Sequence, residues 1–231
     1  MKKIILLLLF VCFNVFAGEE HLVGQWNSFN INGKFKKDSP WIYYGEFGLR
    51  SSTMPQVYGN GYDVGAILGR IGFGYQFDKM NSFMIGYLNQ YSQQPYASHP
   101  VDENRAWEQY QNVLNFDTNG KVTNRTRFEQ RTLTNNGTTA LRLRHQIKYN
   151  YPFDKDWGFA VSDEFFINCN TVNWGPVEGF DQNRFFIGPS YQFTKDLRTE
   201  FGYQNVFVNK DLVDDQMSHI FMLSLYYNVP D

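Results

Sequence analysis

TRFEQRTLTNNGTTALRLRHQIKY, residues 126–149, sets Arg127, Glu129 and Arg131 on alternate positions, turns near Asn136-Gly137, and sets Arg142 and Arg144 on alternate positions again. Alternation at period two belongs to a strand with two unlike faces, and Asn-Gly between two such runs is a hairpin signal. A two-residue turn at Asn136-Gly137 places Arg131 opposite Arg142, Glu129 opposite Arg144, Arg127 opposite Gln146 and Arg125 opposite Lys148. All of these share one face, while Phe128 and His145 fall on the other. Like charges directly opposite destabilise a strand pair, so Arg131 and Arg142 need an acid close by. Glu129 is one candidate, and Glu46, Glu164 and Glu200 are others from across a closed sheet.

The same alternation runs through the chain beyond residue 25. It predicts eleven strands, at 25–35, 41–51, 63–77, 82–93, 105–117, 121–134, 139–151, 157–167, 183–193, 197–208 and 217–229. Most reach about ten residues, nearer the membrane-spanning length of about 9–11 than the usual 5–6 of soluble strands. Tight turns (36–40, 78–81, 118–120, 152–156, 194–196) alternate with longer or more polar links (52–62, 94–104, 168–182, 209–216), and Asn136-Gly137 is a short exception. Short turns on one side and longer loops on the other are the pattern of an outer-membrane barrel. Aromatic residues flank the tight turns: Phe35 and Trp41, Phe77 and Phe83, Phe116, Tyr151, Phe153 and Trp157, and Phe193, with Tyr227 near the end of the chain. A girdle at headgroup level has this distribution.

Each strand has an aromatic-aliphatic face and a face of Arg, Glu, Gln, Ser and Gly. A soluble barrel with an apolar interior has the same period. Strand length, turn asymmetry and the aromatic girdle put the apolar face outward and the charges in the lumen. The fold expected is therefore all-β, a transmembrane antiparallel up-and-down barrel of about 12 strands (10–12). Its expected lumen lining is Arg50, Arg70, Arg105, Arg125, Arg127, Glu129, Arg131, Arg142, Arg144, Arg184, Arg198 and Glu200. These groups act either as a lattice that fills and stiffens the lumen or as a basic constriction that selects anions, and the two are compatible. In the preceding hairpin, a three-residue loop at 118–120 puts Arg125 opposite Val113 and Glu129 opposite Gln109, with Gly120 left-handed. Two features run against the scheme. Asn124, Thr126 and Gln130 face outward, so part of this hairpin is expected to stand above the membrane. Eleven segments is an odd number where single-chain bacterial barrels usually have an even one, so either a twelfth strand lies near the N-terminus or one of the eleven segments is not a strand.

Residues 1–17 read as a signal peptide: Lys2 and Lys3, an apolar run over 4–13, and Ala17 before the cleavage point, leaving 18–231 as one barrel domain. Cys12 leaves with the leader and Cys169 has no internal partner. Loss of Lys2 and Lys3 takes the formal charge from −2 to −4, which argues against nucleic acid as a partner. Expected partners are outer-membrane lipids, the barrel-assembly machinery and small solutes, with export through the periplasm to a Gram-negative outer membrane.

ENRAWEQYQ (103–111), TRFEQR (126–131) and LRLRHQIKYNYPF (141–153) carry a resemblance. With Arg105-Ala106-Trp107, Arg127-Phe128-Glu129-Gln130-Arg131 and Arg142-Leu143-Arg144, the chain resembles a bacterial family of expected outer-membrane barrels, domain of unknown function 2490. The resemblance implies the barrel and supplies no catalytic residue.

No nucleophile-and-base pattern, zinc spacing or phosphate loop is present, so no cofactor, metal or catalytic residue is expected. His145 faces outward, where a hydroxyl from a neighbouring strand would make a lipid-surface hydrolase the one enzymatic alternative. Asp211, Asp214 and Asp215 read as a solvated loop. The function expected is a narrow passive pore for small hydrophilic solutes, anions among them. The alternative is a plugged barrel that acts through external loops bearing Tyr96, Trp174 and Phe180.

Overall fold

The computed structural model of the protein describes residues 20–53, 63–116, 120–210 and 215–230. The leader over 1–17 lies outside these residues, as do Asp211 and Asp214. The described chain is a closed barrel of eleven strands: β1 (Glu20–Lys34), β2 (Trp41–Thr53), β3 (Asp63–Gln76), β4 (Asn81–Ser92), β5 (Val101–Asn115), β6 (Lys121–Leu133), β7 (Asn136–Pro152), β8 (Trp157–Asn168), β9 (Gly179–Gln192), β10 (Leu197–Val208) and β11 (Gln216–Asn228). Each predicted segment is a strand. β1, β5, β7 and β9 begin three to five residues earlier than alternation shows.

The count is eleven rather than about twelve, and no twelfth strand lies among the described residues. An odd up-and-down barrel brings its first and last strands together in the same direction. β1 and β11 accordingly pair in parallel from Glu20↔Gln216 to Asn32↔Asn228, while every other pair is antiparallel. Glu20 and Asn228 therefore lie at opposite ends, Glu20 at the loop end and Asn228 at the short-turn end.

Partner to partner around the barrel, Lys34 of β1 leads back to Glu20 of the same strand, fourteen residues away. With a rise of about 3.3 Å per residue and about 4.8 Å between strands, that offset gives a tilt of roughly 40° and a backbone radius of about 11 Å. Long side chains reach partners two or three strands away around such a lumen, as Arg142 of β7 reaches Asp181 of β9 and Lys148 of β7 reaches Glu200 of β10.

Both hairpin registers around β6 differ from expectation by two residues. Glu129 faces Arg142, Arg127 faces Arg144, and Arg131 faces Ala140. The turn is at Thr134-Asn135, and Asn136 and Gly137 already belong to β7. A bulge between Arg131 and Leu133 absorbs the extra residues. On the other side Arg125 faces Gln111 and Glu129 faces Trp107. Phe116 N donates to Gly120 O, so Gly120 continues the ladder, and it is not among the left-handed glycines. A slip of two keeps every side chain on its face, so faces survive while partners change.

The outward face carries Phe47, Ile71, Phe73, Ile187, Tyr203 and Phe221, all exposed. Phe35, Trp41, Phe77, Phe116, Phe153 and Phe193 are exposed at the short-turn end. One outward stripe is polar. Asn104, Glu108 and Asn112 of β5 lie beside Thr132, Phe128 and Asn124 of β6, with Glu108 at mid-strand between Ile85 and Phe128. β6 pairs along its length, so it stays in the wall of the barrel.

Candidate functional site

Small residues make room inside for large ones. Gly86 of β4 pairs with Gly72 of β3 and with Trp107 of β5, and a Cβ on either glycine would run into the Trp107 ring. Trp107 fills that gap, 3% exposed, beside Leu68, Met84 and Leu88, and the Arg127 guanidinium lies 4.7 Å from its ring centroid.

The twelve expected lumen residues all face the interior. They do not form one lattice. Toward the loop end, Glu103 accepts from Arg105 Nε at 2.8 Å and Arg131 Nε at 2.6 Å. Below it, Glu129 accepts from Arg142 Nη2 and Arg144 Nη1, both at 2.6 Å. Arg144 continues to Glu164 at 3.0 Å, where Arg125 also binds at 2.9 Å, and Arg142 reaches Asp181 at 3.1 Å. On the other wall, Glu46 accepts from Arg70 and, at 2.7 Å, from the Tyr44 hydroxyl. Nearer the short turns, Glu200 collects Lys148 at 2.5 Å, Arg198 at 2.7 Å and Asn150 at 3.0 Å. Glu46, Glu164 and Glu200 thus serve neighbours on their own side and do not reach Arg131 or Arg142, which Glu103 and Glu129 hold.

The lumen lining expected from the sequence omits Glu103, Trp107, Asp181, Trp26 and Phe166, of which Trp107 enters only through the Arg105-Ala106-Trp107 motif. Glu103 and Trp107 share a face with Arg105 at period two and were legible there. Asp181 turns inward only because a bulge between Phe166 and Ile167 shifts the β8–β9 register. Phe166 is fully buried and carries three guanidiniums against its ring, those of Arg142, Arg144 and Arg184, at 5.1, 4.5 and 4.5 Å.

Two loops close the loop end. Tyr96, in the link after β4, accepts from Trp26 Nε1 at 2.9 Å and donates to Ser51 O at 3.0 Å. Burial pushes its phenol pKa up. Trp174, in the link after β8, lies 5.4 Å from the Arg131 guanidinium and donates from Nε1 to Thr138 O at 3.1 Å. Both rings thus lie against the barrel's own residues, while Phe180 faces outward against Phe207.

Below these layers lies a cavity of about 880 Å³. It runs from Arg50, Arg105 and Arg184 to the short-turn rim at Lys34, Lys121 and Val229. Glu103, Glu129, Arg131 and Arg142 lie beyond its inner end. Among the described residues, its wall has twelve Lys and Arg side chains and two carboxylates, Glu46 and Glu164. No three His, Cys, Asp or Glu side chains converge as metal ligands among the described residues. Outside the barrel, His145 Nδ1 lies 2.9 Å from Thr126 Oγ1, with no acid orienting its other nitrogen among the described residues.

A family model described as "Protein of unknown function (DUF2490)" matches residues 23–217. An uncharacterised protein of Methylorubrum extorquens strain AM1 is 34% identical over 109 residues, covering 46% of this chain and 48% of that protein. The chain spans about half the length of this curated relative. No solved structure matches.

Proposed function

The chain belongs to the DUF2490 family of proteins of unknown function, and we propose that it is an outer-membrane barrel forming a narrow, gated passage for small hydrophilic anions. The observation that carries this reading is the 880 Å³ cavity, whose wall carries twelve Lys and Arg side chains, Arg50, Arg127 and Arg184 among them without an ion pair within 4 Å, stopped at one end by buried ion pairs and two loop rings. Basic rings in a narrow lumen favour anions, and a low-dielectric wall strengthens that preference.

The membrane reading is supported by the exposed apolar outer face, strands of 12–17 residues, aromatic residues at the short turns and the leader-like residues 1–17. With short turns on the periplasmic side, the cavity opens to the periplasm and the seal faces outward. The protein acts as a passage and not as an enzyme. The Thr126–His145 contact favours one other reading, a hydrolase at the lipid surface. Phospholipid turnover abolished by His145→Ala would replace the passage with that activity.

The first experiment is planar-bilayer recording of the refolded mature chain. Wild type is expected to stay mostly closed. Trp174→Ala with Tyr96→Ala is expected to give frequent openings and an anion-selective reversal potential under a salt gradient. Silence from both, with folding verified, would make the barrel a permanent plug.

A further inference from the structure

Every lumen carboxylate described above is already engaged by a cation. Glu46 holds Arg70, Glu103 holds Arg105 and Arg131, and Glu129 holds Arg142 and Arg144. Glu164 holds Arg125 and Arg144, Asp181 holds Arg142, and Glu200 holds Lys148 and Arg198. Among the described residues, three arginines, Arg50, Arg127 and Arg184, make no ion pair within 4 Å, and all three line the cavity.

Their hydrogen-bond and stacking partners are neutral, and the carboxylate opposite Arg184 across the β8–β9 pair, Glu164, is already held by Arg125 and Arg144. Arg50 lies 4.2 Å from the centroid of Trp26, its neighbour across the β1–β2 pair. Arg184 lies 5.1 Å from the same ring and gives Nε to Gln182 Oε1 at 2.9 Å. Two positive charges therefore share one aromatic ring. Arg127, 2% exposed, gives Nε and Nη2 to Gln109 Oε1 at 3.0 and 2.6 Å, while its buried Nη1 has no partner. Gln204 Nε2, on the cavity wall, is also buried without one.

Arg127 is buried and Arg50 and Arg184 are half-buried; guanidiniums withdrawn from water without a direct ion pair are costly, and native structures rarely leave such donors unused. Stacking on tryptophan holds the guanidinium plane and leaves its N–H edge available, and that edge matches the paired oxygens of a carboxylate or phosphate. We propose that Arg50 and Arg184, on their shared Trp26 ring, form an oxyanion site at the inner end of the cavity, whose wall also carries the unused donors of Arg127 and Gln204, for a small multivalent anion bearing carboxylate or phosphate oxygens. The site rests on the anion-passage reading and names where the passing anion pauses. Trp26 joins it to the gate, since the ring beneath Arg50 and Arg184 is the one that donates to Tyr96.

The test is calorimetric titration of the refolded full barrel in detergent with inorganic phosphate and with citrate, against sodium chloride at matched ionic strength. Saturable binding of either oxyanion is expected, weakened about tenfold or more in Arg50→Gln/Arg184→Gln and unchanged in Lys155→Gln, an exposed turn residue. Should the double variant not fold, Arg50→Lys keeps the charge, removes the fork and is expected to weaken binding in the same direction. Equal affinity in wild type and an arginine variant, or no oxyanion binding by wild type, overturns the site. Because the titration needs neither bilayer nor current, a barrel that binds phosphate but never conducts keeps the site and loses the passage. One that conducts without binding does the reverse.

Discussion

Glu129 shows how much one side chain can hold. It is 1% exposed and accepts from two arginines on the facing strand. Removing one member of a buried pair strands the other charge, so Glu129→Ala should cost about 3–5 kcal/mol in urea refolding. Lys155→Ala, which breaks a pair 89% and 40% exposed, should cost less than about 1 kcal/mol. Trp107 makes the same point through shape: Gly72→Val or Gly86→Val would drive a side chain into its ring and should cost about 1–3 kcal/mol by the same assay. The sequence placed Glu129 on the charged face beside Arg127 and Arg131. It assigned Glu129 the wrong partner across the strand because hairpin register depends on one bulge, and period two is blind to a slip of two.

Strands and turns were the most legible elements. Alternation located every strand, and polar breaks located nearly every connection. The turns have their own chemistry. Asp78 accepts from the backbone N–H groups of Met80 and Asn81 and from the Asn81 side chain, and Asp154 accepts from those of Asp156 and Trp157. These donors hold both carboxyls below the usual aspartate range. A lowered folded pKa means the stabilisation is present above the unfolded aspartate pKa and is lost as pH falls through the folded one. Refolding yields at neutral and strongly acid pH should therefore converge for wild type and Asp78→Asn/Asp154→Asn at the acid end. The stripe on β5 and β6 is the element that departs from a uniform apolar outer face. Glu108 stands at mid-strand among Ile85 and Phe128, so Glu108→Leu should stabilise the barrel in phospholipid vesicles by about 1–2 kcal/mol. A loss of stability instead would mean that something other than lipid covers this face.

At the scale of the whole molecule, the odd strand count has a topological consequence. With β1 and β11 parallel, the proposed outer-membrane orientation predicts that an epitope inserted just before Glu20 is labelled on intact cells, while one after Asn228 needs permeabilisation. Labelling of both from the same side would contradict the eleven-strand closure. The chain by itself determined the two faces of the wall, the arginine-rich interior and the placing of the strands, because residue type at period two records which side of a sheet meets which medium. Tertiary structure alone decided the parallel closure, the register around β6, the inward folding of Tyr96 and Trp174, and the pairing that leaves Arg50, Arg127 and Arg184 without a direct ion pair. Those outcomes depend on how eleven strands are offset around a ring about 11 Å in radius, where side chains far apart in sequence meet inside the lumen and no local pattern records the meeting.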